Sequence, residues 1–328
     1  MSIFSTLRDA STPSAAIELS ASRVSGASLE WRGGQPVIAA HTMEPLAEGA
    51  LTPSLTGANL HDRPAVAIAL NRVLERLGHP RRIGLIVPDL VAKVSLVRFE
   101  QTPGRSQDLD QLIRWQVRKT APFPIEDAQV SYVAGQKAAA DDGSPGQEFV
   151  VSLARRDVVR EYEQICADAG THAGIVDLTT FNVINSVLAG SAAPAGDWLL
   201  VNVAPDYATI AILRGPHLLF FRNRSAEGDG TLSDLVHQTA MYYQDRLSGT
   251  GFTRVMLSGA AVSPAHQSLD VDQIRRSLES RMGAAVESVD PRSAASITDR
   301  ISPAPALLDV LAPLVGLLLR DRGVVKAA

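Results

Sequence analysis

Cysteine is nearly absent from this 328-residue chain: Cys166 is the only one. That excludes a disulfide framework and any metal site built from several thiolates. A dominant charge is also missing. The 31 Lys and Arg stand against 35 Asp and Glu, a formal net charge of −4, with both signs interspersed. There is no basic stripe and no long acidic tail, so no nucleic-acid partner is expected. Long hydrophobic runs are absent too. The longest, Val310 to Leu319 (VLAPLVGLLL), carries Pro313 and Gly316 and is half the ~20 residues that a membrane span needs. It reads as a buried helix. The opening MSIFSTLRDAST lacks the apolar core of a signal peptide. The seven histidines are scattered, with no HExxH pair to suggest zinc. No GxSxG elbow occurs, although Ser258-Gly259 follows a strand-like segment. The expectation is a soluble cytoplasmic protein without a transmembrane span of its own, long enough for two domains.

What is present is a pattern that occurs twice. AAIELSASRVSGASLEWRGGQPVIAAH reads as three short strands, with turns at Ser20–Ser22 and at RGGQ, 32–35. A helix follows over 62–77, capped by Asp62, with Pro64 in its first turn and Gly78 closing it. RIGLIVP, 82–88, is a buried strand. The second half repeats the order. DWLLVNVAPDYATIAILRGPHLLFFRNR predicts three strands, 230–247 a helix with Leu232, Leu235, Val236, Thr239, Met241 and Tyr242 on a broad face, and RVMLSG a fourth strand. A helix at 270–282, a strand at 284–289 and the apolar helix at 306–320 complete it. Such a duplication predicts two α/β domains facing each other, 14–88 with 174–190 and 191–322, with the last helix packing on either. Residues 89–173 interrupt the first copy as an inserted α+β unit. Within it, QKAAADDGSPGQE, 136–148, reads as a polar hairpin loop.

The duplicated halves, each with a turn after its first strand, resemble the actin-like ATPase superfamily. The inserted DLDQLIRWQVRKTAPFPIEDAQVSY, together with VNVAPDYATIAILRGPHLLFFRNR, VMLSGAA and LVGLLLR in that order, resembles the PilM family of type IV pilus assembly proteins. The likeness runs from about residue 14 to 322. It implies an actin-like, duplicated ribonuclease-H-like fold with an inserted subdomain. It also implies a cytoplasmic scaffold at the inner-membrane assembly platform of a pilus or related secretion machine. The implied partner is the short N-terminal tail of a PilN-like membrane protein, and the implied cofactor is ATP with Mg²⁺ in the cleft between the domains.

The phosphate turns depart from the family pattern. Where that pattern reads Asp-hydrophobic-Gly-Ser-Ser-Ser, this chain has Glu18-Leu19-Ser20-Ala21-Ser22-Arg23. Glu18 keeps the charge, Ser20 adds a Cβ where glycine is expected, and Ser22 and Arg23 remain able to reach phosphate. In the second turn Asn202 replaces aspartate and Ala204 glycine, Pro205 removes a backbone donor, and Thr209 is kept. Gly228 and Gly259 complete the residual nucleotide set. Metal-assisted phosphoryl transfer depends on positioning and charge neutralisation, so ATP is expected to bind weakly or not at all, and no residue is assigned a catalytic or metal-binding role. The bland alternative is that Glu18, Asn202 and the serines merely end strands and cap turns.

The docking surface is expected at the corner RKTAPFPIEDAQVSY, where two prolines end a helix and stiffen the chain. Trp115, Arg118 and Phe123, with Val94, Leu96 and Val97 of the strand 93–99, form the expected partner-binding set, in a groove where the inserted unit meets the first domain. Phe123 and Trp115 equally suit closing the small core of that unit. Two rival functions are an active ATPase or small-molecule kinase of the same fold, and a filament-forming cytoskeletal protein.

Overall fold

The computed structural model describes residues 12–139, 145–191, 195–226, 231–262, 271–298 and 303–321. The chain opens with an antiparallel meander, β1 (Ala15–Ser20), β2 (Arg23–Arg32) and β3 (Gln35–Pro45). All six residues of β1 are buried, because helices cover both faces of its sheet. Such a strand shows a run rather than an alternation of apolar residues. Helix α1 (Arg63–Arg76) starts as expected: the Asp62 carboxylate accepts the Ala65 N–H at 3.0 Å, and Pro64 occupies its first turn. Val66, Ala69, Leu70, Val73 and Leu74 are its buried stripe, packed toward β2 and β3. Gly26 permits the close approach, since a Cβ there would lie 2.7 Å from Val73. Strand β4 (Arg82–Val87) runs parallel to β1.

A single helical turn, Asp89–Val91, leads into the interruption. It consists of β5 (Ala92–Phe99), α2 (Ser106–Arg118), β6 (Ala128–Ala139) and β7 (Pro145–Arg155), with the strands in the order β5-β7-β6. Residues 136–139 and 145–148, expected in a loop, extend the strands instead, and 140–144 lie outside the described residues. Ladder pairing continues through Lys137 and Gln147, whose side-chain amide donates to the Gly135 carbonyl. Polar alternation there marks a solvated hairpin rather than its absence. Side chains of this sheet divide by parity. Val97, Val130, Val151 and Leu153 meet Ile113 and Val117 of α2, whereas Val94, Leu96, Val150 and Ala154 join the large core of the molecule.

Helix α3 (Arg156–Asp168) buries Val158, Val159, Tyr162, Ile165 and Cys166 in that large core. Strand β8 (His172–Leu178) then pairs parallel to β4, and α4 (Thr179–Gly190) follows. The second lobe has a meander of β9 (Asp197–Val203), β10 (Tyr207–Arg214) and β11 (His217–Ser225), then α5 (Leu232–Leu247), β12 (Arg254–Ser258), α6 (Val271–Met282) and β13 (Val286–Ser288). In α5 the buried residues are Leu235, Val236, Thr239 and Tyr243, while Met241 and Tyr242 face out. The stripe follows the i, i+4 spacing of 235, 239 and 243. After β14 (Ser296–Ile297), α7 (Pro305–Leu318) ends the described chain.

The two large sheets share a plan. The first is ordered β14-β3-β2-β1-β4-β8 and the second β11-β10-β9-β12-β13. In each, a three-stranded meander is extended by two strands parallel to its first. Topology gives α3 the place before β8 that α6 has before β13. Helix α7 packs on β1, β2, β4 and α4, and so on the first lobe. Glycines make the fit: a Cβ on Gly84 would lie 1.9 Å from Leu317, and one on Gly316 would lie 1.6 Å from the Asn182 carbonyl. Among the described residues no helix is long and apolar enough to cross a membrane.

Candidate functional site

Among the described residues, crevices meet the first lobe at more than one place. One lies between the lobes, at the turns expected to hold phosphate. Glu18, at the end of β1, is buried, and both its oxygens are engaged by the chain itself. Oε2 accepts from Arg23 Nη2 at 3.1 Å and from Ser25 Oγ at 3.2 Å, and Oε1 accepts from Thr179 Oγ1 at 3.3 Å. The side chains of Arg23 and Glu18 are only 10% and 3% exposed. Arg23, expected to reach phosphate, instead turns back across the hairpin to its neighbouring strand. Ser20 donates to the Arg23 carbonyl at 3.1 Å. Ser22 is half-buried, and its carbonyl accepts from Leu46 N–H.

The centre of the interlobe contact is Asp89, which sequence reasoning missed. It follows β4 in VPDL, a context without any motif. Its carboxylate accepts from Thr209 Oγ1 at 2.6 Å, from the Thr180 N–H at 3.0 Å and from the Thr180 hydroxyl. The Asp89 N–H donates to the Tyr207 hydroxyl, and its carbonyl accepts from Asn223 Nδ2 at 3.0 Å. One residue of the first lobe thus binds β10 and β11 of the second. Complete burial raises the Asp89 carboxyl above its ordinary range, against the lowering effect of the two threonines. Asn202 donates to Thr180 Oγ1 at 2.9 Å, joining the second turn to α4.

The third turn follows β12. Gly259 has φ +80°, and a Cβ there would lie 1.9 Å from the Val203 carbonyl. Beyond it, Asp309 of α7 accepts the Ala261 N–H at 2.9 Å. Burial raises the Asp309 carboxyl, while the backbone donors and the Arg23 charge lower it. Asp206, at the rim of the second turn, is pushed up to about 6 by burial, with the Asp89 charge adding to the shift. Glu18, Ser20, Asn202 and Gly259 line this cleft together, Thr209 lies beneath it, and Gly228 falls outside the described residues.

Among the described residues this arrangement leaves little room for a magnesium-nucleotide. The cleft holds about 20 Å³, room for roughly one water, whereas small-molecule sites run to ~300–1,000 Å³. Glu18, Asn202 and the Ala261 N–H each already have a partner from the chain, whereas Oδ2 of Asp206 has none among the described residues. Among the described residues no three His, Cys, Asp or Glu side chains gather to hold a metal.

The second crevice is wider. It lies where the inserted unit meets the first lobe, a cavity of about 240 Å³ between Gln129 of β6, Val159, Arg156, Arg160 and Glu163 of α3, and Gly174–Val176 of β8. Strand β8 is the last in its sheet, so one side of its backbone faces this groove. Arg156 Nη2 donates to the Ala128 carbonyl at 3.3 Å. Partial burial raises the Glu163 carboxyl against the pull of His172 and Arg160.

The residues expected to bind a partner are not brought together. Val94 and Leu96 pack against the large core, and Val97 and Phe123 against the inserted unit's own core. Trp115 is 57% exposed, with Lys119 Nζ 4.8 Å above its ring, and Arg118 is exposed nearby. Both stand on α2, which covers the face of the three-stranded sheet opposite to the one that joins the large core. The residues that do line the groove come from three separated segments. Their only sequence signal was the charged row Arg156, Arg160 and Glu163 on one side of an otherwise apolar-faced helix.

The comparisons with known proteins agree with this architecture. The sequence profile of the type IV pilus assembly protein PilM family matches residues 16–246. A solved structure described as a PilM-PilN type IV pilus biogenesis complex superposes with a TM-score of 0.75 at 17% identity, covering 95% of this chain and 98% of that one. The cytoplasmic domain of EpsL, an inner-membrane component of the Vibrio cholerae type II secretion system, gives a TM-score of 0.48 at 12% identity, with 96% and 95% covered. A search of curated proteins returns no match. With the profile spanning most of its length and two lobes of one topology around a cleft, the chain belongs to the PilM family of type IV pilus assembly proteins, of the actin-like ATPase fold.

Proposed function

We propose that this chain is a docking subunit of a type IV pilus or related secretion machine. It works on the cytoplasmic side of the inner membrane, where it holds the N-terminal tail of a PilN-like membrane protein, and nucleotide binding in its interlobe cleft is weak or lost. The observation that carries this reading is the contrast in room. About 240 Å³ lies open beside the edge of β8, against about 20 Å³ in the cleft. An extended tail lying along β8 pairs its main chain with the strand edge and sets alternate side chains against Val159 and Ile175, a recognition mode that needs no metal or nucleotide. Arg156, Arg160 and Glu163 supply polar anchors along the rim. The solved PilM-PilN complex supports a partner of this kind.

The test is fluorescence polarisation with a labelled synthetic tail taken from the neighbouring membrane component. The double variant Arg156→Glu/Arg160→Glu is expected to weaken binding about tenfold, or 1.4 kcal/mol, while its far-ultraviolet circular dichroism stays that of the parent. Undiminished binding by that variant would remove the groove from consideration.

A further inference from the structure

We propose that Arg23 is the cleft's resident cation. It stands beside Glu18 where the family resemblance would put a metal ion, and together with Asp309 and Asp89 it keeps the two lobes latched without nucleotide. The argument begins with what each turn already holds. At the first, the Arg23 guanidinium lies 3.1 Å from Glu18, both buried, with Ser25 and Thr179 completing the carboxylate's partners. At the second, Asn202 is committed to Thr180. At the third, the Ala261 N–H is committed to Asp309, which belongs to a helix packed on the other lobe.

At each turn one polar group that could grip a ligand is taken by a side chain of the same polypeptide, while Oδ2 of Asp206, in the second turn, has no partner among the described residues. The charges require this. Glu18 and Asp309 are two buried carboxylates lining one small cleft, and Arg23 lines it with them and lowers the Asp309 carboxyl. A buried carboxylate without a cation neutralises or drives the site open. Arg23 is nine-tenths buried, and its Nε–H has no protein partner among the described residues. The cost of that orphan is accepted for the ion pair, and the remaining space suits one water. A guanidinium is always charged and cannot dissociate into solvent as a metal ion can. The Arg23–Glu18 pair lies within the first lobe, and Arg23 supports the contact that does cross, Asp309 with the Ala261 N–H, by lining the same cleft as its cation, so lobe closure does not wait on a nucleotide.

This inference is independent of the groove, because its readout is exchange at the cleft and not tail affinity. Hydrogen exchange by mass spectrometry on the full chain tests it. Wild-type protein is expected to show the same exchange at Asp206–Thr209 and Gly259–Val262 with and without millimolar Mg·ATP, and saturable protection of those amides by Mg·ATP would overturn the proposal. Arg23→Ala is expected to raise exchange in both segments about tenfold or more, and unchanged exchange would equally overturn it. Arg23→Lys keeps the charge and is expected to restore part of the protection. A Lys variant as open as the Ala variant would show that Arg23 acts through packing and not as a cation. Should Arg23→Ala fail to fold, Asp309→Ala serves. It removes the acceptor of Ala261 and is expected to raise exchange at Gly259–Val262, and its failure to do so would count against the latch.

Discussion

The interlobe cleft and the groove beside β8 are both walled by charged residues, yet they solve the problem of charge in opposite ways. In the cleft Glu18, Asp89 and Asp309 are buried and satisfied by Arg23, Thr180, Thr209 and backbone N–H groups. In the groove Arg156, Arg160 and Glu163 remain exposed around open space. Buried polar groups must find partners within the chain, because each orphan costs about 1–3 kcal/mol. Exposed ones keep their water until a partner displaces it. A crevice whose polar groups are spent on one another is a joint, and one whose polar groups are solvated is available for binding.

The strongest way to break this comparison is at Asp89. Asp89→Ala strips acceptors from the Thr180 N–H and hydroxyl and from the Thr209 hydroxyl. It is expected to cost about 3–5 kcal/mol in denaturant-induced unfolding. A loss below ~1 kcal/mol would mean that the lobes are not held together there.

Next is Gly259→Ala, expected to cost about 2–3 kcal/mol because the new Cβ meets the Val203 carbonyl in a left-handed backbone. Gly78→Ala is the control, with φ +77° and open space around it, and is expected to cost about 1 kcal/mol. Equal losses at the two sites would show that the turn after β12 is not closely packed on β9.

A smaller effect, of opposite sign, is expected at Asp206. Its folded value of about 6 lies above its ordinary 3.8. The stability it contributes is therefore fully present below pH ~4 and is lost as pH rises through ~6, because the unfolded chain gives up the proton more readily. Asp206→Asn is expected to remove that slope and to raise stability at pH 7.5 by about 1–2 kcal/mol, a figure discounted for the water that still reaches the group. Thermal melts between pH 4 and 8 check it, and a variant whose melting temperature follows the parent's at every pH would refute the shift.

The smallest effect is expected at Trp115. Exposed on α2, on the far side of the three-stranded sheet from the groove, Trp115→Ala is expected to leave tail affinity within about twofold and stability within ~0.5 kcal/mol. A tenfold loss of tail binding would move the docking surface to α2.

How far sequence reasoning carried follows from the range of the interactions. The two meanders were legible because turn residues and short apolar segments act over fewer than about ten positions. The start of α1 was legible because Asp62 and Pro64 act on the turn they begin. The Arg23–Glu18 pair spans five positions and was within reach, but the phosphate-turn resemblance directed Arg23 toward a ligand. Asp89 was not legible: its partners lie 91 and 120 positions away and one aspartate after a strand carries no pattern. A groove where the inserted unit meets the first lobe was expected, but its lining, assembled from positions near 129, 156–163 and 174–176, was not legible. The placement of the corner residues was not legible for a related reason. Helical spacing puts Trp115 off the apolar stripe of α2, but not which sheet face that helix covers.

The amino-acid order alone therefore determined the duplicated strand-and-helix plan, its interruption and the family it resembles, since these rest on local periodicity, turn chemistry and motif order. Only the tertiary structure decided that α7 belongs to the first lobe, that Asp89 joins the lobes while Arg23 pairs with Glu18 in the cleft, and that an open groove lies beside β8. Those outcomes depend on which surfaces come to share a buried volume. Burial is a property of the assembled chain, and it sets which charges must be paired and which stay free to meet a partner.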